Sequence, residues 1–307
     1  MNNNLARETT GSSASSSART FLVLTPAVFV VLWATGFIGA KFGMPYAPPL
    51  KFLLWRFLVV IVLMGAIALA TRAAWPKGVQ FWHVALAGVL LQGGYLGGVF
   101  VSIDLGMSAG LSALIVSLQP ILTAVAGPLY GERVTRRQWV GFLLGLGGVA
   151  LVVSHKLVPA AGLAALSVAS VACAVLALLS ITAGTIYQRR YCGAQDLRTQ
   201  SVVQFIAAGL VLLPLSLLFE TRAVVWNASF VFAVAWLVIV LSLGAISLLF
   251  LLIRRGAATQ VSSLMYLVPP VTAVIAWIMF DEVLQPQAIA GMVVAVAGVA
   301  LVMRPAK

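Results

Sequence analysis

Ten apolar segments, each about long enough to cross a lipid bilayer, follow one another along the chain with short polar connections. A membrane-spanning helix needs about 20 predominantly apolar residues, because the hydrocarbon core is about 30 Å thick and a helix rises about 1.5 Å per residue. The predicted spans are 22–43, 50–71, 80–103, 109–130, 138–155, 162–187, 199–219, 229–252, 259–280 and 286–303. We therefore predict an all-α polytopic membrane protein with ten transmembrane helices and no separate soluble domain.

Charge content excludes a water-soluble fold. Charged residues make up 8% of the chain and hydrophobic residues 62%, whereas about one quarter of a soluble domain is charged. The net charge of +12 comes from basic residues scattered between the apolar segments, which is typical of topology control rather than of nucleic-acid binding. We predict a lipid bilayer as the surroundings, no nucleic-acid partner, and a disordered tail over the polar, Ser-rich residues 1–20.

The distribution of Lys and Arg predicts the orientation in the membrane. With a cytoplasmic N-terminus, 14 of the 19 basic residues fall in segments on the cytoplasmic side. Basic residues are enriched in cytoplasmic loops. We therefore expect both termini in the cytoplasm. The membrane itself is expected to be a bacterial-type inner (plasma) membrane.

The pentapeptide GVALV occurs twice, at 148–152 and at 298–302. A shift of 150 residues brings the two copies into register and also aligns Pro120 with Pro270. A shift of 148 residues aligns Arg56-Phe57 with a Gln-Phe pair in the second half. Proline is scarce inside membranes, so its alignment exceeds what a biased composition alone explains.

These alignments predict two repeats of five helices, 21–156 and 157–304. Because five is odd, the second repeat must enter the membrane from the opposite side. The loops agree, since GERVTRR after the fourth segment is basic and DEVLQPQ after the ninth is not. Inverted repeats of this kind are the usual architecture of secondary transporters.

Several motifs resemble the EamA-type ten-helix members of the drug/metabolite transporter superfamily. They are WATGFIGAKFG, PPLKFLLWRF, SALIVSLQPILTAVAGPLYGE, SSLMYLVPPVTAVIAWIMFDE, GFLLGLGGVALV and GMVVAVAGVALV. The resemblance extends from about residue 22 to residue 303. It implies a polytopic carrier of a kind that often exports amino acids, related metabolites or toxic compounds.

Charges inside the predicted spans are few. No span contains Asp or Glu, and the only charged residues are Lys41, Lys51 and Arg56. Proton-coupled carriers commonly place a carboxylate in a span, so its absence argues against a small-multidrug-type proton antiporter. Arg56 lies roughly 9 Å along its helix. It either anchors a substrate carboxylate through a bidentate pair or snorkels to the outer interface.

Aromatic and amide side chains near the predicted midplane complete the candidate substrate site. Its predicted members are Trp33, Arg56, Gln92, Tyr95, Gln119, Tyr266 and Trp277. A buried amide needs a partner, because burying it alone costs roughly 2–7 kcal/mol. Each aromatic residue has packing or lipid contact as the alternative to lining a pocket. We expect the cavity between the first, third, fourth, sixth, eighth and ninth helices.

Two pairs of repeat-related residues are predicted to act in gating. Pro120 and Pro270 fall mid-span, where proline removes a backbone hydrogen bond and kinks a helix. Glu132 and Glu282 end the fourth and ninth spans and are candidates for ion pairs that open and close. The alternatives are static kinks for the prolines and solvated turn residues for the glutamates.

The predicted function is a secondary transporter that moves small organic metabolites by alternating access, without an obvious proton-coupling group. Efflux of amino acids or related compounds is what the family resemblance implies. The alternatives are a proton antiporter for drugs or toxic compounds, a non-transporting membrane scaffold, and a membrane-embedded enzyme. We predict no catalytic residues, metal or cofactor. Cys173 in an apolar run and Cys192 in a basic loop indicate free thiols, and the oligomeric state stays open.

Overall fold

The computed structural model describes residues 24–36, 39, 43–107, 112, 115–130, 134–154, 167–255, 263–280 and 286–303. Every regular element in these ranges is helical. The helices are α1 (Leu24–Gly36), α2 (Pro49–Ala70), α3 (Val79–Asp104), α4 (Gln119–Ala126), α5 (Arg136–Ser154), α6 (Val168–Cys192), α7 (Leu197–Phe219), α8 (228–255), α9 (Val268–Phe280) and α10 (Pro286–Met303). Short 3-10 turns at Met44–Tyr46, Gly127–Tyr130 and Leu264–Leu267 precede α2, follow α4 and precede α9.

Six of these helices are long and apolar enough to cross a membrane, judged by length and composition. They are α2, α3, α6, α7, α8 and α10. The described part of α1 is apolar but shorter, with 13 residues from Leu24 to Gly36. The structure therefore agrees with an all-α membrane protein, while the ten-span organisation stays a prediction.

Helix α6 differs at both ends from its predicted borders of 162–187. It begins at Val168, because the hydroxyl of Ser167 accepts a hydrogen bond from the backbone N–H of Ser170 and caps the helix. It runs on to Cys192, which is its buried last residue and not part of a basic loop. Arg189 and Arg190 lie in its last turn, where the helix dipole favours cations. A pattern of apolar residues cannot predict a helix end whose residues are polar.

Two helices contain a π-helical segment that the sequence analysis did not foresee. One is Val89–Gly94 in α3, and the other is Leu237–Ala245 in α8. The 148-residue shift maps the start of the first segment onto the start of the second. π-segments are rare and often mark functional sites. Here both helices line the cavity described below.

Helices α5 and α10 pack against each other with backbone in contact. A Cβ atom at Gly141 would lie 2.6 Å from the carbonyl oxygen of Gly298. A Cβ atom at Gly148 would lie 2.6 Å from the carbonyl oxygen of Gly291. Glycine permits this approach because it has no side chain. Since the order of contacts reverses along the pair, the two helices run antiparallel.

Helices α2 and α7 form the second contact between corresponding elements. The rings of Phe57 and Phe205 pack with centroids 5.1 Å apart, and the 148-residue shift maps one onto the other. Both rings are buried in the same apolar core. Each residue thus contacts its own counterpart.

The two repeat-related prolines lie at helix starts and not in the middle of continuous helices. Pro120 occupies the first turn of α4, directly after a turn at residues 117–118. Pro270 lies in the first turn of α9, after the 3-10 turn Leu264–Leu267. Proline is tolerated in a first turn because that N–H has no intrahelical acceptor. The predicted kink is therefore replaced by a change of helix geometry just before each proline.

A candidate substrate cavity around Arg56

A cavity lies between α1, α2, α3, α6 and α8. Its empty volume is about 710 Å³ when the open space at its mouth is included. The lining residues are Trp33, Gly36, Arg56, Leu91, Gln92, Tyr95, Leu96, Val99, Phe100, Ile103, Ile181, Leu237, Leu241, Ile246 and Leu249. The walls are thus mainly aliphatic and aromatic, with a few polar groups among them.

Arg56 is the dominant polar group of this cavity. Its side chain is completely buried, so it does not snorkel to a membrane surface. The guanidinium Nε donates a hydrogen bond to Ser242 Oγ at 2.9 Å. Neither Nη1 nor Nη2 has a hydrogen-bond partner among the described residues. Ser242 in turn donates to the carbonyl of Leu237 at 3.1 Å, inside the π-segment of α8.

The charge of this guanidinium is not balanced by any acidic side chain that the structure describes. Asp104 binds Arg222 at 3.0 Å, and Asp196 binds Arg198 at 2.6 Å. Glu220 accepts hydrogen bonds from the first backbone N–H groups of α2. A buried ion without a partner costs several kcal/mol. The cavity therefore suits an anion or another acceptor that the described residues do not supply.

Four of the seven predicted substrate-site residues come together in this cavity. Trp33 on α1 and Tyr95 on α3 stack with ring centroids 6.4 Å apart and planes 13° from parallel. Gln92 belongs to the π-segment of α3 and is buried. Arg56 on α2 is the fourth. One ion, one amide and two aromatic rings therefore share a single pocket.

A second cavity shares the Trp33–Tyr95 pair with the first. Its empty volume is about 380 Å³ with its opening included. It is lined by Trp33, Tyr95, Val99, Ser112, Val116, Ser117, Met265, Val268 and Pro269. The stacked rings thus form part of the wall of both cavities. Together the two cavities are lined from all six helical regions expected in the sequence analysis, and from α2 as well.

The other predicted residues lie elsewhere. Gln119 is buried at the start of α4 and donates from Nε2 to Thr185 Oγ1 at 3.3 Å. Tyr266 is fully buried, and its ring fills the space beside Gly145 of α5. Trp277 is 51% exposed on α9, so its ring does not line either cavity. Glu132 and Glu282 lie outside the described residues.

Comparison with known proteins then identifies the family. The sequence model of the EamA-like transporter family matches residues 20–154 and, a second time, residues 168–304. This chain belongs to the EamA-like transporter family. The two matches together span most of the chain, and they fall on either side of the connection between α5 and α6.

Relatives of this EamA-like chain are named as transporters. It is 29% identical to the uncharacterized transporter YvbV of Bacillus subtilis, over 92% of this chain and 91% of that one. It is 26% identical to the uncharacterized inner membrane transporter YedA of Escherichia coli K12, over 84% and 82% of the two chains. A probable amino-acid metabolite efflux pump of Salmonella typhimurium is 30% identical over 42% of this chain and 41% of its own.

A solved crystal structure has the same fold as this EamA-like chain. The TM-score is 0.75 at 18% sequence identity, with 91% of this chain and 96% of the other covered. At that identity the similarity concerns the fold alone.

Sequence reasoning missed some residues of the cavity in this EamA-like chain. Ser242, the hydrogen-bond partner of Arg56, is a lone hydroxyl in the apolar run IVLSLGAI, and that isolation is a usable signal. Ile181, Leu241, Ile246 and Leu249 also line the cavity. They carried no signal, because aliphatic residues are as abundant on lipid-facing surfaces as in cavities.

Proposed function

We propose that this protein is a secondary transporter that moves small organic metabolites across the inner membrane by alternating access, exporting amino acids or related compounds. The observation that carries the proposal is the buried guanidinium of Arg56, whose two Nη atoms have no partner among the described residues and which lines a mainly apolar cavity between helices of both proposed repeats. The names of the Salmonella and Escherichia relatives support export and the inner membrane.

The mechanical part of the proposal is a pair of inverted five-helix repeats, 21–156 and 157–304. Contacts between α5 and α10 support it, because they occur in swapped pairs. Gly141 meets Gly298, and the 150-residue shift converts this pair into Gly291 and Gly148, which also meet. Such exchanged contacts are what a two-fold axis produces. Since the two helices are antiparallel, that axis is perpendicular to them and so lies in the membrane plane.

The proposed topology has ten spans and both termini in the cytoplasm. It rests on the excess of basic residues in the segments assigned to the cytoplasm. The two separate matches of the family model, to 20–154 and 168–304, support the division into repeats.

Alternating access then follows from where the cavity lies. Its walls are α1, α2 and α3 from the first repeat, and α6 and α8 from the second. Rocking one repeat against the other would open this seam first to one side of the membrane and then to the other. The breaks before Pro120 and Pro270 provide flexing points in α4 and α9, and we assign gating at the helix ends to Glu132 and Glu282.

Energy coupling is proposed to work without a titrating carboxylate in the substrate site. Among the described residues that line the two cavities, none is Asp or Glu. A proton carried by an acidic side chain, as in a proton antiporter, has no place in this arrangement. We therefore propose that the protein is a facilitator, or a carrier that couples transport to an energy source through groups other than an acidic side chain in the substrate site.

Counterflow tests the carrier proposal. Liposomes containing only this protein are loaded with unlabelled amino acid, and uptake of radiolabelled amino acid is followed with and without a proton gradient. We expect uptake above that of protein-free liposomes, unchanged when the gradient is collapsed. Strict dependence on the gradient would refute the uncoupled mechanism, and uptake no higher than in empty liposomes for amino acids and related carboxylates would leave the scaffold alternative.

A further inference from the structure

We infer that the Arg56 cavity selects an organic monoanion, with one carboxylate on an apolar body and with the amine absent or acylated. The inference rests on the proposed function, because it takes the cavity as the substrate site. Within amino acids and related compounds, it places the preference on the related compounds that lack a free ammonium group.

The unfilled donors define the anionic end of the ligand. Ser242 already accepts from Nε of Arg56, so the edge of the guanidinium that includes Nε is partly used. Nη1 and Nη2 have no acceptor among the described residues. Two parallel N–H donors match the two oxygens of a carboxylate bound end-on. Holding Nε in place also fixes the direction in which this pair of donors points.

The charged side chains of the cavity indicate how many negative charges the ligand carries. Arg56 is the only charged side chain among the described residues lining the cavity. A phosphate monoester or a dicarboxylate would bring a second negative charge into an apolar pocket without a second cation. Since a buried unpaired ion costs several kcal/mol, the arrangement favours a monoanion over a dianion.

The remaining walls define the other end of the ligand. The cavity is also lined by Leu96, Val99 and Phe100 of α3 and by Leu241 and Leu249 of α8. Apolar ligand surface buried there gains about 25 cal/mol per Å². The body of the ligand is therefore expected to be aliphatic or aromatic.

A free ammonium group fits poorly for two reasons. It would lie in the same pocket as the positive guanidinium, and none of the described residues that line the pocket is acidic and could offset the repulsion. The rings of Trp33 and Tyr95 offer a cation–π contact, worth about 2 kcal/mol or more in a dry site. The loss of hydration of an ammonium costs several kcal/mol, and the repulsion by the guanidinium adds to that cost. A zwitterion should therefore bind more weakly than the matching carboxylate.

Binding to the purified protein in detergent tests this inference without requiring transport. The probes share one skeleton: 3-phenylpropionate, N-acetylphenylalanine, phenylalanine and phenethylamine, at concentrations up to the millimolar range. The readout is the shift of the melting temperature with concentration. We expect the two anions to produce a given shift at about tenfold lower concentration than phenylalanine, and phenethylamine to give no shift.

Variants tie the preference to Arg56. Arg56→Gln should remove the shift given by the two anions, whereas Arg56→Lys, which keeps the charge but loses the fork, should weaken it and keep the order of the probes. The matched control is Arg198→Gln, which removes an arginine that pairs with Asp196 outside the cavity and should leave the shifts unchanged. If Arg56→Gln does not fold, the inference is tested by comparing the order and size of the probe shifts in the wild-type protein and in Arg56→Lys.

The results separate the inference from the carrier proposal. Phenylalanine binding as tightly as 3-phenylpropionate, anion shifts that persist in Arg56→Gln, or no response to any probe would each overturn the inference. Anion-selective stabilisation without counterflow of any probe would keep the site and refute the carrier. Amino-acid counterflow without an anion preference would keep the carrier and refute the inference.

Discussion

Arg56 and Gln204 occupy corresponding places in α2 and α7, and their surroundings differ. Both side chains are completely buried, and the adjacent residues Phe57 and Phe205 pack against each other. Gln204 donates from Nε2 to Gln188 Oε1 at 2.7 Å, its own Oε1 has no partner among the described residues, and its backbone lies against Gly88 of α3. Arg56 carries a charge, has two nitrogens without a partner among the described residues, and lines an open cavity.

If the proposed site is correct, substrate recognition lies in only one of the two proposed repeats. The α2–α7 contact, the π-segments of α3 and α8, and the glycine contacts of α5 with α10 all occur in corresponding pairs. At the corresponding positions of α2 and α7, however, Arg56 is a buried charge and Gln204 is a neutral amide. We therefore assign mechanics to the paired features and substrate recognition to the unpaired one.

The largest expected effect comes from breaking the paired glycine contacts. Gly148→Ala and Gly298→Ala each place a Cβ atom against the opposite backbone, so each should lower the free energy of unfolding by about 3 kcal/mol. Gly147→Ala is the matched control on the same helix. It meets no atom within 4 Å and should gain up to about 1 kcal/mol from helix propensity. Thermal unfolding in detergent measures all three, and a stable Gly148→Ala variant would contradict the close packing.

The next largest effect is expected when Arg56 is replaced by glutamine, the residue type at the corresponding position 204. Arg56→Gln removes two charge-assisted donors and should weaken binding of a carboxylate such as 3-phenylpropionate by about 100-fold, or about 2.7 kcal/mol. The ligand-free protein should lose no stability, because an uncompensated buried charge is removed with the arginine. The melting temperature, measured with and without ligand, separates the effect on ligand binding from the effect on the stability of the ligand-free protein. A variant that unfolds in both conditions would instead make Arg56 a structural residue.

The smallest effect is expected for a substitution of Gln204, the counterpart of Arg56 in α7. Gln204→Leu leaves the Oε1 atom of Gln188 without its donor, and should cost about 1–2 kcal/mol of stability. Carboxylate affinity should stay as in the wild-type protein, because Gln204 does not line the Arg56 cavity. A ligand titration of this variant checks the point. Equal losses of affinity in Gln204→Leu and Arg56→Gln would remove the asymmetry on which the assignment depends.

Much of the fold was accessible from the sequence because long apolar runs and a repeat at fixed spacing are strong signals. The predicted span 286–303 coincides with α10, and α2 and α7 begin within two residues of their predictions. Borders set by capping or by helical polar residues, as at Ser167 and Cys192, were not accessible. The π-segments were also missed, since their residues are ordinary apolar ones and glycines.

The site was predictable only for residues that stand out chemically. Arg56 and Gln92 are polar groups in apolar runs, and Trp33 and Tyr95 flank them in space. Trp277 was expected near the same site, but its face of α9 is exposed. In a helix that is apolar on all sides, periodicity does not show which face turns inward. Which helices meet is a tertiary fact, and no single-sequence pattern encodes it.

The inverted arrangement of the two repeats is the central claim, and accessibility to an impermeant thiol reagent tests it most directly. Single cysteines are introduced by Arg136→Cys and Gln287→Cys, at the exposed starts of α5 and α10, in a background with Cys173 and Cys192 replaced by alanine. Labelling is compared in right-side-out and inside-out membrane vesicles. We predict that the two cysteines react from opposite sides, with the one at 136 cytoplasmic. Reaction of both from the same side would contradict the account.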